Sequence, residues 1–175
     1  MKFFLIGFMG AGKTTIGKYA ASHNALHFLD LDEYIEKREG REVRDIFREM
    51  GEEYFRQVEK RALEEVCAID GLDMLVSCGG GTPCFFDNME VMNAHGHTIY
   101  LDMGAARLTD RLRNSKEKRP LLNAIEGDLQ HWVHKKLVER ATFYSQSQTI
   151  VAEDDCNKKF VAELVGKLTG NVAAV

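Results

Sequence analysis

A chain of 175 residues, 45% hydrophobic and 29% charged, has the make-up of a soluble globular protein and the length of one folded unit, residues 1–175. Its net charge of −4 argues against the broad basic face that nucleic-acid binding needs. No apolar run reaches the ~18 residues of a membrane span, and the first residues enter a core-strand pattern directly, which leaves no room for a signal peptide.

Lys2-Phe3-Phe4-Leu5-Ile6 reads as a short buried strand. It runs into Gly7-Phe8-Met9-Gly10-Ala11-Gly12-Lys13-Thr14, a full match to the phosphate-binding pattern G-x-x-x-x-G-K-[ST], and a helical segment follows at once. Glycines let the backbone bend so that several N–H groups face one hollow. The helix beginning near Lys13 adds the positive end of its dipole. Gly10, Ala11, Gly12, Lys13, Thr14 and Thr15 are therefore the candidate phosphate contacts. Lys13 suits the β- and γ-phosphates, and the Thr14 hydroxyl suits Mg²⁺.

Further strands are expected at 26–29, 74–77, 97–101 and 148–152. Helical patterns separate them at 13–22, 31–38, 43–49, 52–68, 86–94, 104–113, 128–144 and 157–168. This alternation predicts an α/β fold, a parallel sheet covered by helices on both faces. Ligands in such sheets sit beyond the carboxyl ends of the strands.

Asp30-Leu31-Asp32 follows the second strand. Alternate residues of an extended segment share a face, so both carboxylates can serve one site. One suits Mg²⁺ through water, and the other suits proton acceptance from a hydroxyl. Asp32 also fits an N-cap for the helix after it. Gly79-Gly80-Gly81 follows the third strand and brings backbone close to a ligand, or else forms a tight turn. That strand ends Val76-Ser77-Cys78 without an acidic residue, so a second metal-binding aspartate is missing and the burden falls on Asp30. Cys67, Cys78, Cys84 and Cys156 form no C-x-x-C pair and read as reduced thiols of a cytosolic protein.

On the helix 52–68, Phe55, Ala62 and Val66 mark the buried side, with Glu59 among them and Arg56 at its border. The pair is either a structural ion bridge or a carboxylate orienting Arg56 toward a ligand carboxylate. Asn114 to Pro120 is polar and basic without periodicity, a surface loop or a mobile lid spanning about 114–122, with Arg119 poised for the transferring phosphate. Arg111, on the helix before it, is a solvated arginine or an adenine contact. Past Asp128, Leu129, Val133, Leu137 and Tyr144 make an apolar stripe, and Arg140 falls within it, where a guanidinium needs an anion.

Together these residues resemble the shikimate kinase family from Phe3 to about Leu168. The resemblance rests on the Gly7–Thr14 loop, Asp30-Leu31-Asp32, Asp45-Ile46-Phe47, Phe55-Arg56 with Glu59, Gly79–Gly81, Arg119-Pro120-Leu121-Leu122, and Arg140 before Tyr144. Cys78 departs from the family's more usual non-thiol residue, and Ala152-Glu153-Asp154-Asp155 is not distinctive.

The resemblance implies a three-layer sandwich of the P-loop NTPase type, with a five-stranded parallel sheet and a mobile lid. It implies ATP-dependent phosphorylation of the 3-hydroxyl of shikimate, with ATP as co-substrate and Mg²⁺. Lys13, Asp32 and Arg119 become the catalytic candidates, and Thr14 and Asp30 the metal candidates. Asp32, Phe47, Arg56, Gly79, Gly80, Gly81 and Arg140 would hold shikimate, within or beside a helical segment of about 32–62. Arg111 and Arg119 join the loop residues in holding the nucleotide. The expected protein is a cytoplasmic monomer with no nucleic-acid or membrane partner. Gluconate kinase or a nucleoside monophosphate kinase is the alternative within the fold. A regulatory NTPase would need switch elements, and a guanine-reading Asn-Lys-x-Asp is absent. An inactive binding module fits poorly with intact Lys13, Asp30, Asp32 and Arg119.

Overall fold

The computed structural model describes residues 1–114 and 127–170. Arg119 and all of the expected lid except Asn114 lie outside the described residues. Five strands form one parallel sheet: β1 (Lys2–Ile6), β2 (His27–Asp30), β3 (Met74–Ser77), β4 (His97–Leu101) and β5 (Thr149–Val151), in the order β2-β3-β1-β4-β5. Phe3 pairs with Leu75 on one side of β1 and His97 on the other.

The central strand is apolar at every inward position because both its faces are covered. Phe3 and Leu5 pack with Ile16, Ala20, Val161 and Val165 on one face. Phe4 and Ile6 point the other way and pack with Leu31, Ile35, Leu63 and Tyr144. The first group draws on α1 (Lys13–His23) and α7 (Lys158–Leu168), and the second on α2 (Leu31–Glu39) and α3 (Val43–Cys67). The remaining helices are α4 (Asn88–His95), α5 (Ala105–Arg113) and α6 (Leu129–Tyr144).

Most expected elements are present, with informative shifts. The second strand runs one residue further than expected, to Asp30. The expected helices 43–49 and 52–68 are both present as the two arms of α3, separated by a kink at Gly51, whose φ of 83° and ψ of 171° leave the helical region. A 3-10 turn, Thr82–Cys84, follows the glycine run, so α4 starts only at Asn88. Among the described residues, no helix is long and apolar enough to cross a membrane. Cys67, Cys78 and Cys156 are buried and Cys84 is half-buried, all as free thiols.

Candidate active site

The loop between β1 and α1 opens a cavity of about 460 Å³ at the carboxyl end of the sheet. Gly12 sits at φ 94°, the left-handed region where a side chain would be strained, and this turns the chain into α1. Lys13 is buried, and its Nζ donates to the carbonyls of Gly7 at 2.8 Å and Phe8 at 3.0 Å. The ammonium is thus folded back over its own loop. Gly10, Gly12, Lys13, Thr14 and Thr15 line the cavity, while Ala11 is fully buried beneath it.

Across the cavity, the Thr14 hydroxyl donates to Asp30 Oδ2 at 2.8 Å. Asp30 Oδ1 accepts from the N–H groups of Asp32 and Glu33, so Asp30 caps α2. Asp32 is therefore not the N-cap that its position before Glu33-Tyr34-Ile35 suggested. The cap falls two residues earlier, at Asp30, because α2 starts at Leu31, and the Asp32 side chain lines the cavity instead. Burial pushes the Asp32 carboxyl up to about 6, with the carboxylates of Asp30 and Glu59 adding to the rise and Lys13 opposing it.

Gly79 and Gly80 form the wall opposite the phosphate loop. A Cβ on Gly79 would stand 3.1 Å from Asp32 Oδ1 and 3.1 Å from Glu59 Oε1. One on Gly81 would stand 2.7 Å from Arg56 Nη2. The three glycines therefore keep backbone where side chains would crowd Asp32, Glu59 and Arg56.

Arg56 is buried and held at both ends of its guanidinium. Its Nε and Nη2 donate to Glu52 Oε1 at 3.2 and 3.0 Å, and its Nη1 donates to Glu59 Oε2 at 2.8 Å. Glu59 is 1% exposed and also accepts from the Thr82 hydroxyl at 2.5 Å. Phe47 packs on Phe55 with ring centres 4.4 Å apart, and both rings flank Arg56. The Arg56–Glu59 bridge is formed as the spacing predicted. Its partners Glu52 and Thr82 were not foreseen, although Glu52 lies four residues before Arg56, a spacing that faces it on a helix. Nothing in the sequence marks Thr82, which reaches Glu59 only through the fold.

On α6, Arg140 Nη1 donates to the Gly80 carbonyl at 3.1 Å, and the Tyr144 hydroxyl donates to the same oxygen at 2.6 Å. The Arg140 guanidinium also lies 5.2 Å from the centre of the Phe8 ring, in the phosphate loop. Arg140 thus bridges the loop and the glycine run. Arg111 Nη1 donates to the carbonyls of Gly10 and Ala11, both at 3.2 Å, and lines the cavity rim. Arg56, Arg140, Phe47 and Gly81 are not among the residues lining the 460 Å³ volume, and Gly79–Gly81 joins it to them. Among the described residues, no group of three or more His, Cys, Asp or Glu side chains is placed to hold a metal. A hydroxyl and a carboxylate side by side, Thr14 and Asp30, are the hard oxygen donors the cavity offers a divalent cation.

Chemically, the site joins an anion-binding loop, two neighbouring carboxylates and two arginines around a glycine wall. The family model described as shikimate kinase matches residues 9–169. A shikimate kinase of Phocaeicola vulgatus is 46% identical over 159 residues, covering 90% of each chain. The crystal structure of shikimate kinase from Bacteroides thetaiotaomicron superimposes with a TM-score of 0.88 at 39% identity, covering 97% of this chain and 98% of that one. Shikimate kinase from Acinetobacter baumannii, solved in complex with shikimate, gives a TM-score of 0.85 at 26% identity, covering 99% of this chain and 95% of that one.

Proposed function

The chain belongs to the shikimate kinase family and is an ATP-dependent kinase of shikimate, and we propose the following division of labour among its residues. The loop amides of Gly10, Ala11, Gly12, Lys13, Thr14 and Thr15 hold the nucleotide phosphates. Lys13 exchanges its two carbonyl contacts for β- and γ-phosphate oxygens. Arg111 lies at the cavity rim, where it can meet the nucleotide's adenine. Arg119, outside the described residues, is assigned to the transferring phosphate on the family resemblance, with the 114–122 lid excluding water as it closes.

Shikimate lies against Gly79–Gly81, with its carboxylate between Arg56 and Arg140 and its ring beside Phe47. Asp32 faces the 3-hydroxyl and takes its proton as the oxygen attacks the γ-phosphorus in line. Burial and neighbouring carboxylates push its carboxyl up to about 6, which makes Asp32 a better proton acceptor than an ordinary aspartate. The Thr14 hydroxyl would hold Mg²⁺ directly and Asp30 would hold it through water. Held there, Mg²⁺ would supply positive charge against the charge that develops on the transferring phosphoryl group. The protein works as a cytoplasmic monomer.

The observation that carries this reading is the placement of Asp32 between the phosphate loop and the glycine run. A coupled assay of ADP release tests it. ADP release that rises with shikimate, and not with gluconate or nucleoside monophosphates, is expected. Arg140→Ala should raise the shikimate KM by about 10- to 100-fold, the loss of a charged hydrogen bond, with the ATP KM little changed. An unchanged shikimate KM would remove Arg140 from the site.

A further inference from the structure

We propose that Phe85 is a positioning residue for the substrate carboxylate, because its ring sets the plane of the Arg56 guanidinium. The inference rests on the reading of Arg56 as a carboxylate clamp. Glu52 and Glu59 take three N–H groups of Arg56 within the guanidinium plane. In-plane bonds fix where the fork sits. They leave its tilt to whatever lies against its faces. The Phe85 ring centre stands 4.0 Å from the guanidinium carbon, nearer than Phe55 at 5.2 Å or Phe47 at 5.7 Å. A ring at that distance attracts the cation and also blocks rotation out of plane.

The segment carrying Phe85 is built to hold it there. The Thr82 hydroxyl bonds Glu59, and the Asn88 side chain bonds the Thr82 carbonyl at 2.9 Å. Lys60, next to Glu59 on α3, donates to Asp87 at 2.7 Å and lies 5.4 Å from the centre of the Phe86 ring. Both ends of the 82–88 segment are therefore tied to consecutive residues of α3. Phe86 adopts φ 51°, a conformation that a bulky residue takes only where its surroundings impose it. Its own ring is 57% exposed, so burial of Phe86 does not explain the strain. The strained link has its consequence one residue earlier, where Phe85 is turned onto Arg56.

The test separates the π-face from bulk. Phe85→Leu keeps an apolar side chain and removes the ring. It should raise the shikimate KM about three- to tenfold with the ATP KM unchanged, and Phe85→Tyr should restore it. Replacing Phe85 by mono-, di- and trifluorophenylalanine keeps the shape and drains the ring face. The shikimate KM should then climb with each fluorine, with thermal midpoints held level. A flat fluorine series, or a Leu variant with normal shikimate KM, overturns the proposal. Arg56→Lys is the control for the underlying reading. An unchanged shikimate KM there would sink the clamp itself, whereas a raised KM with a flat fluorine series would sink only the role of Phe85.

Discussion

Thr14 and Asp30 meet across the mouth of the cavity, hydroxyl to carboxylate, at 2.8 Å. The other oxygen of Asp30 caps α2 through the N–H groups of Asp32 and Glu33. One carboxylate thus ties the start of the helix behind the phosphate loop to the start of the helix that carries Asp32. It also orients Asp32 without touching its side chain.

That double use can be separated. Asparagine caps helices as well as aspartate, whereas alanine does not. Asp30→Asn should keep the thermal midpoint near that of the parent while raising the Mg²⁺ concentration needed for half-maximal rate. Asp30→Ala should lose about 1 kcal/mol of stability as well, measured by urea unfolding. If neither variant loses stability, the cap does not matter and Asp30 acts only at the metal.

Asp32 supplies a pH prediction. Its carboxyl is raised in the folded protein from 3.8 to about 6, so between these values the native state holds a proton that the unfolded chain has released. The ligand-free protein should therefore lose stability as pH rises from about 4 to about 6 through this group, and the cost should be complete above that range. Asp32→Asn removes the buried charge. Above pH 6 it should unfold at higher urea than the parent, by up to about 3 kcal/mol, with the difference vanishing near pH 4. The same variant should lose most of its phosphoryl transfer. In the parent, kcat/KM for shikimate should fall tenfold per pH step below about 6. Equal stability of the two proteins at pH 7 would contradict the buried charge.

Glu59 is the least exposed charged side chain of the substrate wall, at 1%. It accepts from Arg56 and Thr82 together. Glu59→Ala leaves the Thr82 hydroxyl unpaired and Arg56 with Glu52 alone, which should cost about 3 kcal/mol. Glu59→Gln keeps the volume and one acceptor. It should fold, with a shikimate KM raised about tenfold as Arg56 loses a charged partner, because a charged hydrogen bond is worth about 1.5–3 kcal/mol. Paired KM and thermal-midpoint measurements check both. A Gln variant with normal KM would make the pair structural only.

Which parts of this site were legible in the sequence follows from how local each signal is. The phosphate loop, the Asp30/Asp32 pair and the glycine run each lie within a few residues and directly after a strand, so spacing alone placed them. Arg56 with Glu59 was legible because a helix brings residues three apart together. Which of two aspartates two residues apart caps the helix turns on its first residue: α2 starts at Leu31, so Asp30 caps and Asp32 does not, and apolar patterning does not resolve helix ends that finely. Thr82 on Glu59, Phe85 on Arg56 and Tyr144 on Gly80 join segments distant in sequence. No periodicity encodes such contacts. The break between the helical stretches 43–49 and 52–68 was legible too, because Gly51 falls in it with φ 83° and ψ 171°, outside the helical region.

Gly81 gives a prediction about the seat of Arg56. Its φ of −96° is open to any residue, so alanine there incurs no backbone strain. The added Cβ would lie 2.7 Å from Arg56 Nη2 and 2.9 Å from Nη1. Both are the far end of a long side chain, which yields by swinging aside rather than by unfolding the protein. The guanidinium would then leave the fork made by Glu52 and Glu59 and slide off the Phe85 ring. Gly81→Ala should therefore still fold, with a thermal midpoint lowered because buried Glu59 loses its charged partner, and keep the same slow ATP hydrolysis without shikimate. Its shikimate KM should rise at least tenfold, because about 1.4 kcal/mol of lost carboxylate binding already gives that factor. Gly80→Ala is the contrast. Its Cβ would meet the backbone N of Met9 at 3.1 Å, in the phosphate loop, so the nucleotide KM should rise as well. If Gly81→Ala bound shikimate normally, Arg56 would not depend on the space that Gly81 leaves, and the carboxylate clamp would have to be assigned to Arg140 alone.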